Sequence, residues 1–189
     1  MRRINMLVSL IAMSLAAVGC GGSGGGVAAD VIVGGGGLSA SFQADQPSPS
    51  QGTVSMREAS RNGDVVTVRV DVTGATSLFG ASFDIGYDPA SVLYIGYAAG
   101  TALESSPDGS AVYEISSRPD GLVVGVSLVG TGQGVTLPGT APLVHLTFRV
   151  LQAGAAPVAF DGEPALLDDQ PEPQPIQGLS WFGGTLVGQ

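Results

Sequence analysis

The stretch GASFDIGYDPASVLYIG, Gly80 to Gly96, places Ala81, Phe83, Ile85 and Tyr87 at alternate positions, with Ser82, Asp84, Gly86 and Asp88 between them. Side chains of an extended strand point to opposite faces with a period of two, so this is a strand with one core face and one outer face. Tyr87-Asp88-Pro89 then turns the chain into a second apolar segment, Val92 to Tyr97. In that segment Leu93 and Ile95 are expected to face the core and Tyr94 to face outward.

Working outward, the same texture recurs from residue 53 to the C-terminus. Strands are expected at Val54 to Ala59, Val65 to Val72, Leu78 to Tyr87, Val92 to Tyr97, Ala111 to Ser116, Leu122 to Leu128, Leu143 to Leu151, Val158 to Phe160 and Gly184 to Val187. Asn62-Gly63-Asp64 and Pro119-Asp120-Gly121 are turn chemistry between them. Val66, Val68, Val70 and Val72 form one inward set, and Val144, Leu146, Phe148 and Val150 another. Nine short strands and no amphipathic helix define an all-β class, a nine-stranded jelly-roll β-sandwich, with residues 53–189 as one domain. Thirty glycines, twelve prolines and a charged share of only 12% suit many turns and few helices.

The N-terminal residues read differently. Arg2 and Arg3 precede an apolar run, Met6 to Val18, and small residues lead to Cys20, the only cysteine. Residues 1–19 therefore resemble a lipoprotein signal peptide, and Cys20 is the expected lipidation site. The expected location is outside the cytoplasm, lipid-anchored to the bacterial cell envelope, at the outer membrane if the cell is Gram-negative. Residues 20–52 hold the acylated cysteine and a Gly/Ser/Pro-rich stretch that reads as a flexible tether with a reach of roughly 30 Å. Without residues 1–19 the formal charge is about −11, which disfavours nucleic acid as a partner. With Cys20 acylated, no thiol remains for a disulfide, so the core alone must hold the fold.

The order of the valine-rich strand after Asn62-Gly63-Asp64, Leu78-Phe79-Gly80-Ala81 running to Tyr87-Asp88-Pro89, Gly121 to Val126, Pro142 to Val150, Leu166-Leu167-Asp168-Asp169 and Gly184 to Val187 resembles a cohesin domain. The resemblance implies a non-catalytic sandwich of the carbohydrate-binding-module superfamily that docks a calcium-loaded dockerin module on a flat sheet face, the calcium being carried by the partner. It also implies an outer-strand docking surface, for which Ser82, Asp84 and Gly86 are the candidates, joined by His145 and Thr147. Dockerin-binding cohesins tend to carry Asn or Asp early in that strand, where this chain has Gly80 and Ser82; Asp84 remains.

Other chemistries fare worse. His145 is the only histidine and has no partner for a metal or catalytic role, so no metal site and no cofactor are expected. Asp84 and Asp88 stand about 13 Å apart along a strand, beyond the roughly 5–9.5 Å that paired glycosidase carboxylates need. Asp168 and Asp169 lack EF-hand spacing. An enzyme is therefore not expected, and no residue is assigned a catalytic role. Two alternatives to capture of a dockerin-type partner are direct polysaccharide binding through Tyr94, Tyr97 or Trp181, and a structural role in the cell envelope.

Overall fold

The computed structural model describes residues 37–104, 106, 110–130 and 133–189. Eleven strands run in chain order: β1 Ala40–Ala44, β2 Thr53–Asn62, β3 Val65–Leu78, β4 Gly80–Tyr87, β5 Val92–Ala99, β6 Ala111–Arg118, β7 Gly121–Leu128, β8 Val135–Val150, β9 Gly154–Leu167, β10 Ser180–Phe182 and β11 Gly184–Gly188. Among the described residues there is no helix, and none that could cross a membrane. A six-stranded sheet, β1-β11-β9-β4-β7-β6, packs on a five-stranded sheet, β10-β2-β3-β8-β5. All pairs are antiparallel except β10 with β2.

The inward sets named from the sequence form the core. Val66, Val68, Val70 and Val72 of β3 oppose Phe148, Leu146, Val144 and Ala141 of β8, and all but the half-buried Ala141 are buried. Phe83 and Ile85 of β4 face them from the other sheet. The core spans more than thirty buried apolar side chains without a break, which is what allows one domain to stand without a disulfide.

The strand count is eleven rather than nine. β10 is too short to show an alternating pattern. β1 lies in the stretch expected to be tether: Ala40 and Phe42 are buried, Ser39 and Gln189 exchange backbone hydrogen bonds, and β1 pairs with β11 throughout its length. Five residues between glycine- and proline-rich segments carry too little periodicity to be read as a strand, and a C-terminal partner far away in sequence supplies the missing stabilisation. Cys20, the signal segment 1–19 and the first part of the tether lie outside the described residues.

The second strand of the deciding stretch also differs. Tyr94 turns inward, 6.0 Å from the Phe148 ring at a 61° interplanar angle, while Leu93 and Ile95 are 47% and 45% exposed. Val92 fixes the inward parity, and a bulge at Ile95 follows, since Tyr94 pairs with Phe148 but Gly96 pairs with Thr147. β5 is a sheet edge, where apolar residues are tolerated outside, so hydrophobicity alone misplaces them.

Candidate binding face

The outer surface of β9-β4-β7-β6 carries Ser82, Asp84 and Gly86 of the predicted residues. Across it, Ser82 of β4 opposes Gly125 of β7, which opposes Glu114 of β6. Asp84 opposes Val123, which opposes Ser116. Small side chains at Ser82, Gly125 and Ser116 leave a shallow trough between Val123 on one side and Val112 and Glu114 on the other. Val112 and Val123 are exposed, giving the trough an apolar lining with acidic margins.

Asp84 sits at the centre of this face. Arg118, paired with Gly121 of β7, reaches across that strand to place a guanidinium nitrogen 3.1 Å from Asp84 Oδ2. On the other flank Asp84 lies directly opposite Asp161 of β9. Two facing carboxylates repel, and Arg118 offsets that repulsion. Gly86, the third predicted residue, is overlain by Asp161: a Cβ there would collide with the Asp161 carboxylate. β9 bulges beside this point, with Gly162 to Pro164 standing against the single residue Phe83, and Gly162 at φ +67° makes the excursion.

His145 and Thr147 are not on this surface. They belong to β8 of the five-stranded sheet, where His145 lies between Arg69 and Ala98 and Thr147 is 3.3 Å from Thr67 through their hydroxyls. Alternation predicts correctly that both point outward. It carries no information about which of two sheets a strand joins, and here β4 and β8 are in different ones.

The five-stranded sheet has a charged centre of its own that single-residue reading missed. Asp71 is fully buried, with Arg69 Nε 3.0 Å and Arg57 3.9 Å from its Oδ2. Arg57, Arg69 and His145 form one cross-strand row beside it. Burial pushes the Asp71 carboxyl above its ordinary value, against the pull of Arg69, Arg57 and His145. The alternation Thr67, Arg69, Asp71 was the available signal: an aspartate two places from an arginine on one strand face.

The aromatic candidates separate. Trp181 packs inward, 4.9 Å from Phe160 and 5.8 Å from Phe83, closing the sandwich between β10 and β4. Tyr94 is likewise engaged with the core, and its phenol is held above the usual value by burial first, then by Tyr97 and Tyr87. Tyr97 alone is open, 48% exposed and stacked on Tyr113 at 6.1 Å. The three therefore do not form one planar row.

The acidic loop residues are occupied with backbone. Asp168 accepts from the Gln174 and Gln170 N–H groups at 2.8 and 3.3 Å, and Asp169 accepts from Gly134 N–H at 2.8 Å. Asp88 accepts from Ser91 Oγ at 2.7 Å and Ala90 N–H at 3.0 Å, which lowers its pKa and fixes the turn at Pro89. Among the described residues no group of three His, Cys, Asp or Glu is arranged to hold a metal ion.

Comparison with known proteins bears on this geometry. The family model described as Cohesin domain matches residues 51–174. No curated protein matches the chain. Among solved structures, the sixth cohesin of Acetivibrio cellulolyticus scaffoldin B, in complex with a mutant Cel5 dockerin, is 19% identical with a TM-score of 0.52, covering 76% of this chain and 96% of that one. A type II cohesin domain from the cellulosome of the same organism is 18% identical with a TM-score of 0.54, covering 79% and 94%. Type II cohesin A11 of Bacteroides cellulosolvens is 16% identical with a TM-score of 0.56, covering 72% and 98%. At these identities the likeness is one of fold.

Proposed function

The chain belongs to the cohesin domain family, and from that premise we propose that it is a non-catalytic receptor whose six-stranded sheet captures a dockerin-type module. One observation supports this choice of face: the trough over Ser82, Gly125 and Ser116 is floored by small residues and lined by exposed Val112 and Val123, with Asp84 beside it opposite Val123. Such a surface suits the apolar face of a helix, with Asp84, Glu114 and Asp161 supplying acceptors for its polar flank. The complexes of cohesins with dockerins among the structural relatives support this partner class.

The finer reading is a receptor held at the cell surface. Lipidation of Cys20 would anchor the chain, and the segment between Cys20 and β1 would give it a reach of roughly 25 Å. The captured partner would then be an exported protein, in keeping with enzymes that act on polysaccharide.

Capture from the source organism's extract by immobilised residues 37–189, with calcium and with a chelator, tests the proposal. A partner retained only with calcium, and lost when Gly125→Arg fills the trough, is the expected result. Retention indifferent to both calcium and Gly125→Arg would overturn it.

A further inference from the structure

The two sheets have four edge strands, and three of them are closed to further pairing. β1 is five residues long, and its Ala40 and Phe42 N–H groups are taken by the Gly63 carbonyl at 2.8 Å and the Glu58 carboxylate at 2.7 Å. β10 has three residues. β5 is interrupted by the bulge at Ile95. These are the ordinary devices by which a sheet edge is kept from templating another strand.

β6 has none of them. Its eight residues pair with β7 in one unbroken register from Ala111↔Leu128 to Arg118↔Gly121, with no bulge, proline or glycine between. Among the described residues, no backbone hydrogen bond outside that ladder reaches Ala111–Arg118. Its inward residues Tyr113 and Ile115 are only half-buried, whereas their neighbours Val126 and Val124 on β7 are buried. Tyr97 and the Gly100 carbonyl cover Tyr113, and Ile115 is left partly open along this edge.

We propose that β6 is a pairing edge for β6 of a second copy of this chain, joined antiparallel about a two-fold axis at Ser116. The outward residues of the strand select that register. With Ser116 opposite Ser116, Glu114 stands opposite Arg118 of the second copy and Arg118 opposite its Glu114, two opposite-charge pairs for one strand pairing. Arg118 can hold Asp84 with one nitrogen and still donate from the others. On the inner side, Ile115 meets Ile115 of the second copy along the diagonal, covering the open flank. An axis at Glu114 would set two carboxylates against each other, and an axis at Ile115 would leave Glu114 opposite a serine.

The joined sheets would run continuously through both copies, with the two outer faces side by side and pointing the same way. Two weakly held docking faces presented together would gain avidity for a partner with two modules. The pairing itself does not depend on what those faces capture. One strand pair falls below the roughly 1,200 Å² of stable interfaces, so the association is weak and is best read by trapping.

The test uses the full chain with Cys20→Ala, so that an introduced thiol is alone. Directly opposite residues in an antiparallel pair have Cα atoms about 4.5–5.5 Å apart, within the range a disulfide spans. Ser116→Cys is expected to form a disulfide-linked dimer under mild oxidation, while Val112→Cys, exposed on the same strand face, stays monomeric. Adding Glu114→Arg to Ser116→Cys should remove the crosslink, and further adding Arg118→Glu should restore it. Circular dichroism confirms that each variant keeps its sheet content. A Ser116→Cys chain that stays monomeric overturns the proposal, as does crosslinking that is equal at Val112→Cys or unmoved by the charge reversals.

Discussion

Asp71 and Asp84 each meet an arginine at nearly the same distance, 3.0 Å to Arg69 and 3.1 Å to Arg118, yet they sit in opposite surroundings. Asp71, on the five-stranded sheet, has no exposed side-chain surface, and its oxygens find no aligned hydrogen bond. Asp84, on the six-stranded sheet, is about a third exposed and stands on the outer face beside Ser82 and Val123 of a small-residue trough. Distance alone would rank the two pairs as equals. Solvation makes one a structural element of its sheet and leaves the other free to exchange partners.

Removing each carboxylate breaks that comparison most directly. Asp71→Ala leaves a void at a fully buried position, which an isosteric asparagine would not, and is expected to cost about 2 kcal/mol while the third-exposed Arg57 and Arg69 turn to solvent. Asp84→Ala removes a screened surface pair and should cost under about 1 kcal/mol. Urea titration of the two variants measures the difference. Equal losses would mean that the burial of Asp71 does not govern its role.

Glycines of β7 sharpen the same contrast within one face. A Cβ at Gly121 would run into the Ile85 carbonyl of the neighbouring strand, so Gly121→Ala should destabilise by about 1–3 kcal/mol. A Cβ at Gly125 meets nothing nearer than the Glu114 carbonyl at 3.7 Å. Gly125→Arg should therefore leave stability within about 0.5 kcal/mol of the parent while abolishing partner capture. Denaturant midpoints and capture assays run on the same preparations separate folding from docking.

How much of this was legible in the sequence follows from what alternation can encode. It specified inside against outside for β3, β4 and β8, because each runs several residues with a buried side, and the expected inward sets are the observed ones. It could not say that β4 and β8 belong to different sheets, so His145 was grouped with Asp84 although they lie on separate surfaces. Nor could it find β1, whose five residues gain their place from β11 at the other end of the chain and from Glu58 and Gly63. Tyr94 faces inward, against the expectation, because the parity of β5 is set by Val92 and an edge strand tolerates Leu93 and Ile95 outside. What is long and regular was readable; partner identity, edges and bulges are set by distant contacts.

Titration offers the smallest and most selective test of the opening contrast. The Asp71 carboxyl is raised above 3.8 by burial, which outweighs the arginines that pull it down. The folded state therefore binds a proton more tightly there than the unfolded state does. Its contribution to stability is fully present below the unfolded value and is lost as pH rises through the raised folded value. Most carboxylates act in the other direction, Asp88 among them: its lowered pKa adds stability that disappears as pH falls. Replacing Asp71 by Asn keeps the shape and removes the titration. The parent should thus lose stability relative to Asp71→Asn as pH climbs from 3.8 through the folded value, and the difference should be flat above it. Urea midpoints of both chains at closely spaced pH values trace that difference. A difference that instead grows in the parent's favour with rising pH would mean that Arg69 and Arg57 outweigh burial, and that the two aspartates differ in degree rather than in kind.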